Sequence, residues 1–252
     1  MKRVYLGNKE LTTIATVTNG GGGGDDTKKW VDYFNGTLTE FTVPEGVTKI
    51  RNCAFYACSS LTGITIPDGV TSIGDSTFHN CTSLTGITIP DGVTSIGSYA
   101  FNGCTSLTGI TIPDSVKFIG FGAFYNCSRL IDITIPDGVT YIAGSAFYAC
   151  SSLTGITIPD SVTSIGDSAF YDCSNLTGIT IPDGVTSIDY GAFYNSYNLR
   201  DMTVKATTPP TLGNNALPYE LKTIYVPASS VDAYKAASGW SSFADKIQAI
   251  PT

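Results

Sequence analysis

Apolar side chains recur along this chain in columns spaced 23 residues apart. Leu occupies positions 38, 61, 84, 107, 130, 153, 176 and 199, and Phe occupies 55, 78, 101, 124, 147, 170 and 193. Pro recurs at 44, 67, 90, 113, 136, 159 and 182, and the stretch LTGITIPDGVTSIG of residues 61–74 returns unchanged at 84–97. A fixed period of this length marks a stacked repeat, in which each unit offers the same apolar set to its neighbours.

Within a unit the segment ITIP alternates apolar and polar residues. Ile64 and Ile66 therefore share one side of a strand and Thr65 the other. Proline ends the strand and PDG or PDS makes the turn. Val70 and Ile73 then return apolar side chains to the interior, and pairs such as Ala100–Phe101 fit a short helical or irregular turn. No unit can bury its apolar edge alone. Stacking units about 4.8 Å apart, the distance between paired strands, predicts a continuous core and one parallel sheet along a β-dominated repeat solenoid.

The pattern divides the chain into segments. Residues 1–19 read as a small hairpin or attachment module around Gly7-Asn8, and 20–26 as a glycine-rich linker. Residues 27–37 read as a cap helix with an Asp or Thr start, apolar Trp30, Val31 and Phe34, and an Asn-Gly stop. Seven full repeats span 38–198. Over 199–252 the columns fail: Ser196 has already replaced Cys, Lys205 replaces Pro, and SSVDAYKAASGW reads as a capping helix with a Ser cap. A repeat array needs such ends, because its last coil otherwise exposes an open edge.

Composition narrows the function. Only 14% of residues are charged and the net charge is -7, which argues against binding a phosphate backbone, so nucleic acid is not an expected partner. No run of 18 apolar residues is present, so no membrane span is expected, and no signal peptide is visible in the chain as given.

Three polar columns invite a chemical reading. Cys58, Cys81, Cys104, Cys127, Cys150 and Cys173 stack with parallel side chains, a geometry unsuited to disulfides, and without the paired spacing of a metal site. They read as buried free thiols, with Cys53 outside the column. Asp68, Asp91, Asp114, Asp137, Asp160 and Asp183 read as side chains that accept the amide of their own turn, with a calcium array as the competing reading. Thr65, Thr88, Thr111, Thr134, Thr157 and Thr180 form a stripe on the open face of the sheet, as β-propensity alone would give; ice binding is the competing reading. His79 is the only histidine and stands in a column that holds tyrosine at Tyr56, Tyr125, Tyr148, Tyr171 and Tyr194. No nucleophile–base pair, zinc motif or phosphate loop is recognisable. The expectation is a protein without catalytic residues, metal or cofactor.

Because the units are nearly identical, departures at surface positions stand out. Lys117-Phe118 and Thr140-Tyr141 replace Thr-Ser, Phe121 replaces Asp or Ser, Arg129 replaces Ser or Asn, and Ile131-Asp132 replaces Thr-Gly, with Tyr99 in the preceding unit. Stacking brings these into neighbouring coils. Aromatic and Arg residues are the usual anchors of interfaces, and aromatic faces also suit sugar rings. The candidate ligand patch is Tyr99, Lys117, Phe118, Phe121, Arg129 and Tyr141; the column Tyr125, Tyr148, Tyr171 and Tyr194 is a second candidate, with packing at the core edge as its simpler reading.

The recurring pattern L-x-x-I-x-I-P-x-x-V-x-x-I-x-x-x-A-F-x-x-C resembles the BspA-like class of bacterial leucine-rich repeat, over roughly residues 38–250 and including the C-terminal tail. The resemblance implies a curved leucine-rich repeat solenoid used for adhesion or recognition without catalysis. It points to a monomeric module on a bacterial surface or secreted, binding a protein or glycan of a host or another bacterium. The N-terminal piece and glycine tether also fit a phage or prophage tail-associated protein, with residues 1–19 as virion anchor or oligomerisation segment.

Overall fold

The computed structural model describes residues 37–251 and the short strands Tyr5–Leu6 and Lys9–Glu10. Those two strands pair antiparallel with each other, and Leu6 pairs with Ile50. The expected glycine linker and N-terminal cap helix lie outside the described residues.

Most coils contribute a first strand from the ITI segment, whereas those of Thr88 and Thr157 make only an isolated bridge there. Where neighbours pair they do so in parallel at a shift of one repeat, with Phe41 opposite Ile64, Ile110 opposite Ile133 and Ile179 opposite Met202, and the ladder is broken into three runs among the described residues. This ladder runs on through Thr223–Val226 to Ile247–Ala249. Its inward residues are mostly buried, with Ile64 and Ile156 partly so, and its threonines from Thr42 to Thr180 are exposed, as the alternation predicts.

The expectation of one sheet needs correction, because the TSI segment forms a second parallel ladder. Ser72–Ile73 pairs with Lys49–Ile50 and Ser95–Ile96, and Ser95 pairs with Phe118. A separate run begins at Tyr141–Ile142 and continues through Ser164–Ile165 and Ser187–Ile188 to Thr211–Leu212. Ile73, Ile96 and Ile165 point inward at 1% exposure or less, so the second ladder closes the core from another side.

The remaining side of the coil is a turn run with a repeating backbone. Ser76 and Asn80 are left-handed (φ 53° and 59°), as are Ser168 and Asp172 (54° and 58°). This twist lets alternate amides reach the next coil: Ser76 N–H donates to Ser98 O at 2.8 Å, Phe78 N–H to Ala100 O at 2.7 Å and Asn80 N–H to Asn102 O at 2.7 Å. Each non-glycine residue held there costs roughly 1–2 kcal/mol, which the inter-coil bonds offset.

Between these walls the Phe column is fully buried. Its rings stack from Phe55 to Phe193 at centroid distances of 5.2–5.5 Å. The thiols of Cys81, Cys104, Cys127, Cys150 and Cys173 donate to the Phe carbonyl 26 residues earlier at 3.1–3.2 Å. At the C-terminal end Tyr234 and Trp240 are fully buried, with Tyr234 O–H on Ala206 O and Trp240 Nε1–H on Pro210 O, each at 2.8 Å. The helix Val231–Ala236 thus lids the last coils, although Ser230 makes no side-chain cap and is itself buried.

Candidate ligand-binding surface

The departures from the repeat fall on two sides of the coil. Phe118 and Tyr141 take the outward position of the second ladder, which Ser72, Ser95, Ser164 and Ser187 hold elsewhere. Their rings lie 6.1 Å apart at 58° and remain 39% and 38% exposed. Phe121 follows at the start of the turn run, 44% exposed, with its ring leaning over Gly144 and meeting the edge of Tyr99 at 5.4 Å. Tyr99 in turn covers Gly122, where a Cβ would come within 2.6 Å of the ring. Lys117 lies against Gly138 and donates from Nζ to Asp114 O at 3.2 Å. The structure thus brings together two aromatic pairs, Phe118 with Tyr141 and Tyr99 with Phe121, with Lys117 beside Phe118 in the chain. Arg129 does not join them: it is exposed beyond the turn run, leading into the first ladder, with no ring contact or hydrogen bond to the aromatics among the described residues. Ile131 and Asp132 lie on that other side too, both exposed.

The tyrosine column forms a stack. Tyr125, Tyr148, Tyr171 and Tyr194 follow at 4.5, 4.7 and 5.4 Å, the first two pairs nearly parallel. Desolvation, with the neighbouring phenols adding to it, raises the pKa of Tyr148 and of Tyr171 above the usual phenol value. The rings are half-buried and cover one another's faces, which leaves hydroxyls and edges for contact. His79 stacks on Tyr56 at 4.7 Å; desolvation lowers its pKa, and its Nδ1 is buried without a hydrogen-bond partner.

The acidic column differs from its sequence reading. The turn is closed by backbone, with Val70 N–H on Pro67 O at 3.1 Å and Val93 N–H on Pro90 O at 3.0 Å, and the aspartates are exposed without taking the turn amide. Side-chain oxygens cap amides at a different column: Asn52 Oδ1 accepts from Asp75 N–H, Asp75 Oδ1 from Ser98 N–H and Asp167 Oδ1 from Tyr190 N–H at 2.7–3.0 Å. Among the described residues no group of three or more His, Cys, Asp or Glu is placed to hold a metal ion.

The sequence reading overlooked an open groove of about 1030 Å³ on the first ladder, lined by Asp132, Thr157, Thr180, Asp201, Thr203 and Tyr225. Its signal was present: Asp201 takes the Gly178 position and Tyr225 ends the threonine column opposite Thr203.

Parallel ladders repeating every 23 residues around stacked Leu, Ile and Phe define a leucine-rich repeat solenoid. The model of the BspA type leucine rich repeat region matches residues 32–154 and 140–236. The chain belongs to this family. It is similar to a leucine-rich repeat protein from Bacteroides ovatus, at 29% identity and a TM-score of 0.60, over 75% of this chain and 55% of that one. The chain thus spans a little over half of that protein. It is also similar to a leucine rich cell surface protein from Faecalibacterium prausnitzii, at 25% identity and a TM-score of 0.52, over 76% of this chain and 82% of that one. No curated protein matches it. Among the described residues no helix is long and apolar enough to cross a membrane.

Proposed function

We propose that the protein is a non-enzymatic adhesion module that works at a bacterial surface and binds a protein or glycan ligand through the face bearing Phe118, Phe121 and Tyr141. The observation that carries this is their exposure on a surface whose equivalent positions hold mainly Ser, Gly and Asp. Phe118 and Tyr141 stand on strands of the second ladder and Phe121 in the turn that follows, and exposed aromatics of this kind dominate interface energies. The description of the Faecalibacterium relative as a cell surface protein supports the location. Residues 1–19 are the segment that would attach or oligomerise an otherwise monomeric solenoid.

The test is binding of the fluorescently labelled chain to epithelial and bacterial cells, measured by flow cytometry. The Phe118→Ala/Phe121→Ala/Tyr141→Ala variant should lose at least about tenfold in affinity while melting near wild type. Equal binding by that variant would reject the face.

A further inference from the structure

The second ladder is interrupted once. Along it the threonine amides bond coil to coil: Thr94 N–H to Thr71 O and Lys117 N–H to Thr94 O at 2.9 Å, then Thr163 N–H to Thr140 O and Thr186 N–H to Thr163 O at 2.8 Å. Three residues further the same holds for Gly120 N–H to Ile96 O and Gly166 N–H to Ile142 O, both at 2.9 Å. Between the coils of Phe118 and Tyr141 the equivalent bonds are missing. Among the described residues, Thr140 makes no bond to Lys117 O and Ala143 none to Ile119 O, and strand pairing stops at Phe118–Ile119 and resumes at Tyr141–Ile142. The Thr140 hydroxyl also makes no bond back, whereas Thr94 and Thr163 hydroxyls donate to the preceding coil at 3.3 and 3.1 Å.

The side chains explain the opening. Ala143 stands in a column of glycines where a Cβ at Gly97 or Gly120 would lie 2.5 Å from the preceding backbone, and at Gly166 2.8 Å. Its methyl needs room between coils. Asp189 occupies the same column and keeps its bond to Ile165 O at 2.9 Å, so the methyl acts together with Lys117, Phe118 and Tyr141, which crowd this one seam.

The seam leaves an amide of Thr140 and a carbonyl of Lys117, both in exposed residues, beside two exposed rings. A peptide strand cannot be added here, because it needs a long row of free donors and acceptors and the ladder closes again on either side. A sugar ring needs less. Its neighbouring hydroxyls each donate and accept, and its C–H face suits an aromatic ring. We infer that the seam between Phe118 and Tyr141 is a glycan-binding site, in which a sugar stacks on the two rings while its hydroxyls engage Thr140 N–H and Lys117 O. This rests on the adhesion reading and names its ligand class.

The test uses the full chain on an array of neutral and acidic oligosaccharides, with two variants built from the repeat's own residues. Phe118→Ser/Tyr141→Ser removes the rings; Lys117→Thr/Ala143→Gly keeps them and restores the residues that close the seam elsewhere. Wild type should be retained on defined oligosaccharides, and each variant should lose at least about tenfold. Periodate treatment of target cells, which cleaves vicinal diols, should remove binding, and protease treatment should spare it. Retention on no sugar, or sugar binding at the wild-type level by either variant, overturns the inference. Cell binding that needs the aromatics yet survives periodate overturns it while leaving the adhesion reading intact; absence of any cell binding overturns both.

Discussion

Ser196 donates its hydroxyl to the Phe170 carbonyl at 2.9 Å, the bond that the Cys173 thiol makes to Phe147 one coil earlier at 3.2 Å. The column is therefore held by a donor of small size, and sulfur is one way to supply it. Cys127→Ser should leave stability within about 1 kcal/mol of wild type. Cys127→Val should cost more, because the polarity toward Phe101 O is lost while the branched side chain strains a fully packed site. Urea denaturation checks the order; a valine variant as stable as the serine one would contradict it.

Cys53 is exposed, whereas the six column thiols are buried. Burial pushes the Cys104 and Cys150 thiols up to about 12, and raises those of Cys81, Cys127 and Cys173 as well. Since the thiolate is the reactive form, iodoacetamide at pH 8 should label Cys53 alone in the native chain and all seven cysteines in denaturant. Native labelling of several column residues would show that the core opens readily.

Gly97 has no room for a methyl group, because its Cβ would meet Asp75 N at 2.5 Å. Gly97→Ala should destabilise the chain by about 1–3 kcal/mol, the usual cost of overpacking. The reverse change, Ala143→Gly, should raise the melting temperature. Thermal unfolding of both variants measures this, and a neutral Gly97→Ala would remove the steric account of the seam.

His79 has a pKa below that of an exposed histidine because burial disfavours its charged form. The unfolded chain therefore binds the proton more readily. Stability attributable to this group is full above the unfolded value of about 6.5 and is lost as pH falls from there through the lower folded value. His79→Tyr, the residue of most other coils, should lose less stability between pH 7 and pH 5 than wild type. Parallel urea titrations at the two pH values decide it; identical losses would mean that the ring finds a partner when protonated.

The columns made the solenoid legible, since Ile64, Val70, Phe78 and Cys81 each stated their burial by recurring. The second ladder was hidden because Ser72–Ile73 is too short to show a period of two. The aspartate column misled because the Pro67 carbonyl takes the Val70 amide, which leaves the Asp68 side chain no turn amide to accept. Phe118, Phe121 and Tyr141 were readable as departures, and Arg129 was grouped with them only because sequence distance does not show which side of a coil a residue faces. The seam depends on spacing between coils, which the sequence does not show, and Ala143 in a column mainly of glycines was the trace of it left unread.

Native-state hydrogen exchange of the full chain tests most directly whether the departures open a binding face in an otherwise regular ladder. The amides of Thr140 and Ala143 should exchange much faster than their counterparts Lys117 and Gly120 before the seam and Thr163 and Gly166 after it. Equal protection at all six would contradict the account, because the second ladder would then be continuous and the aromatics would sit on a closed sheet.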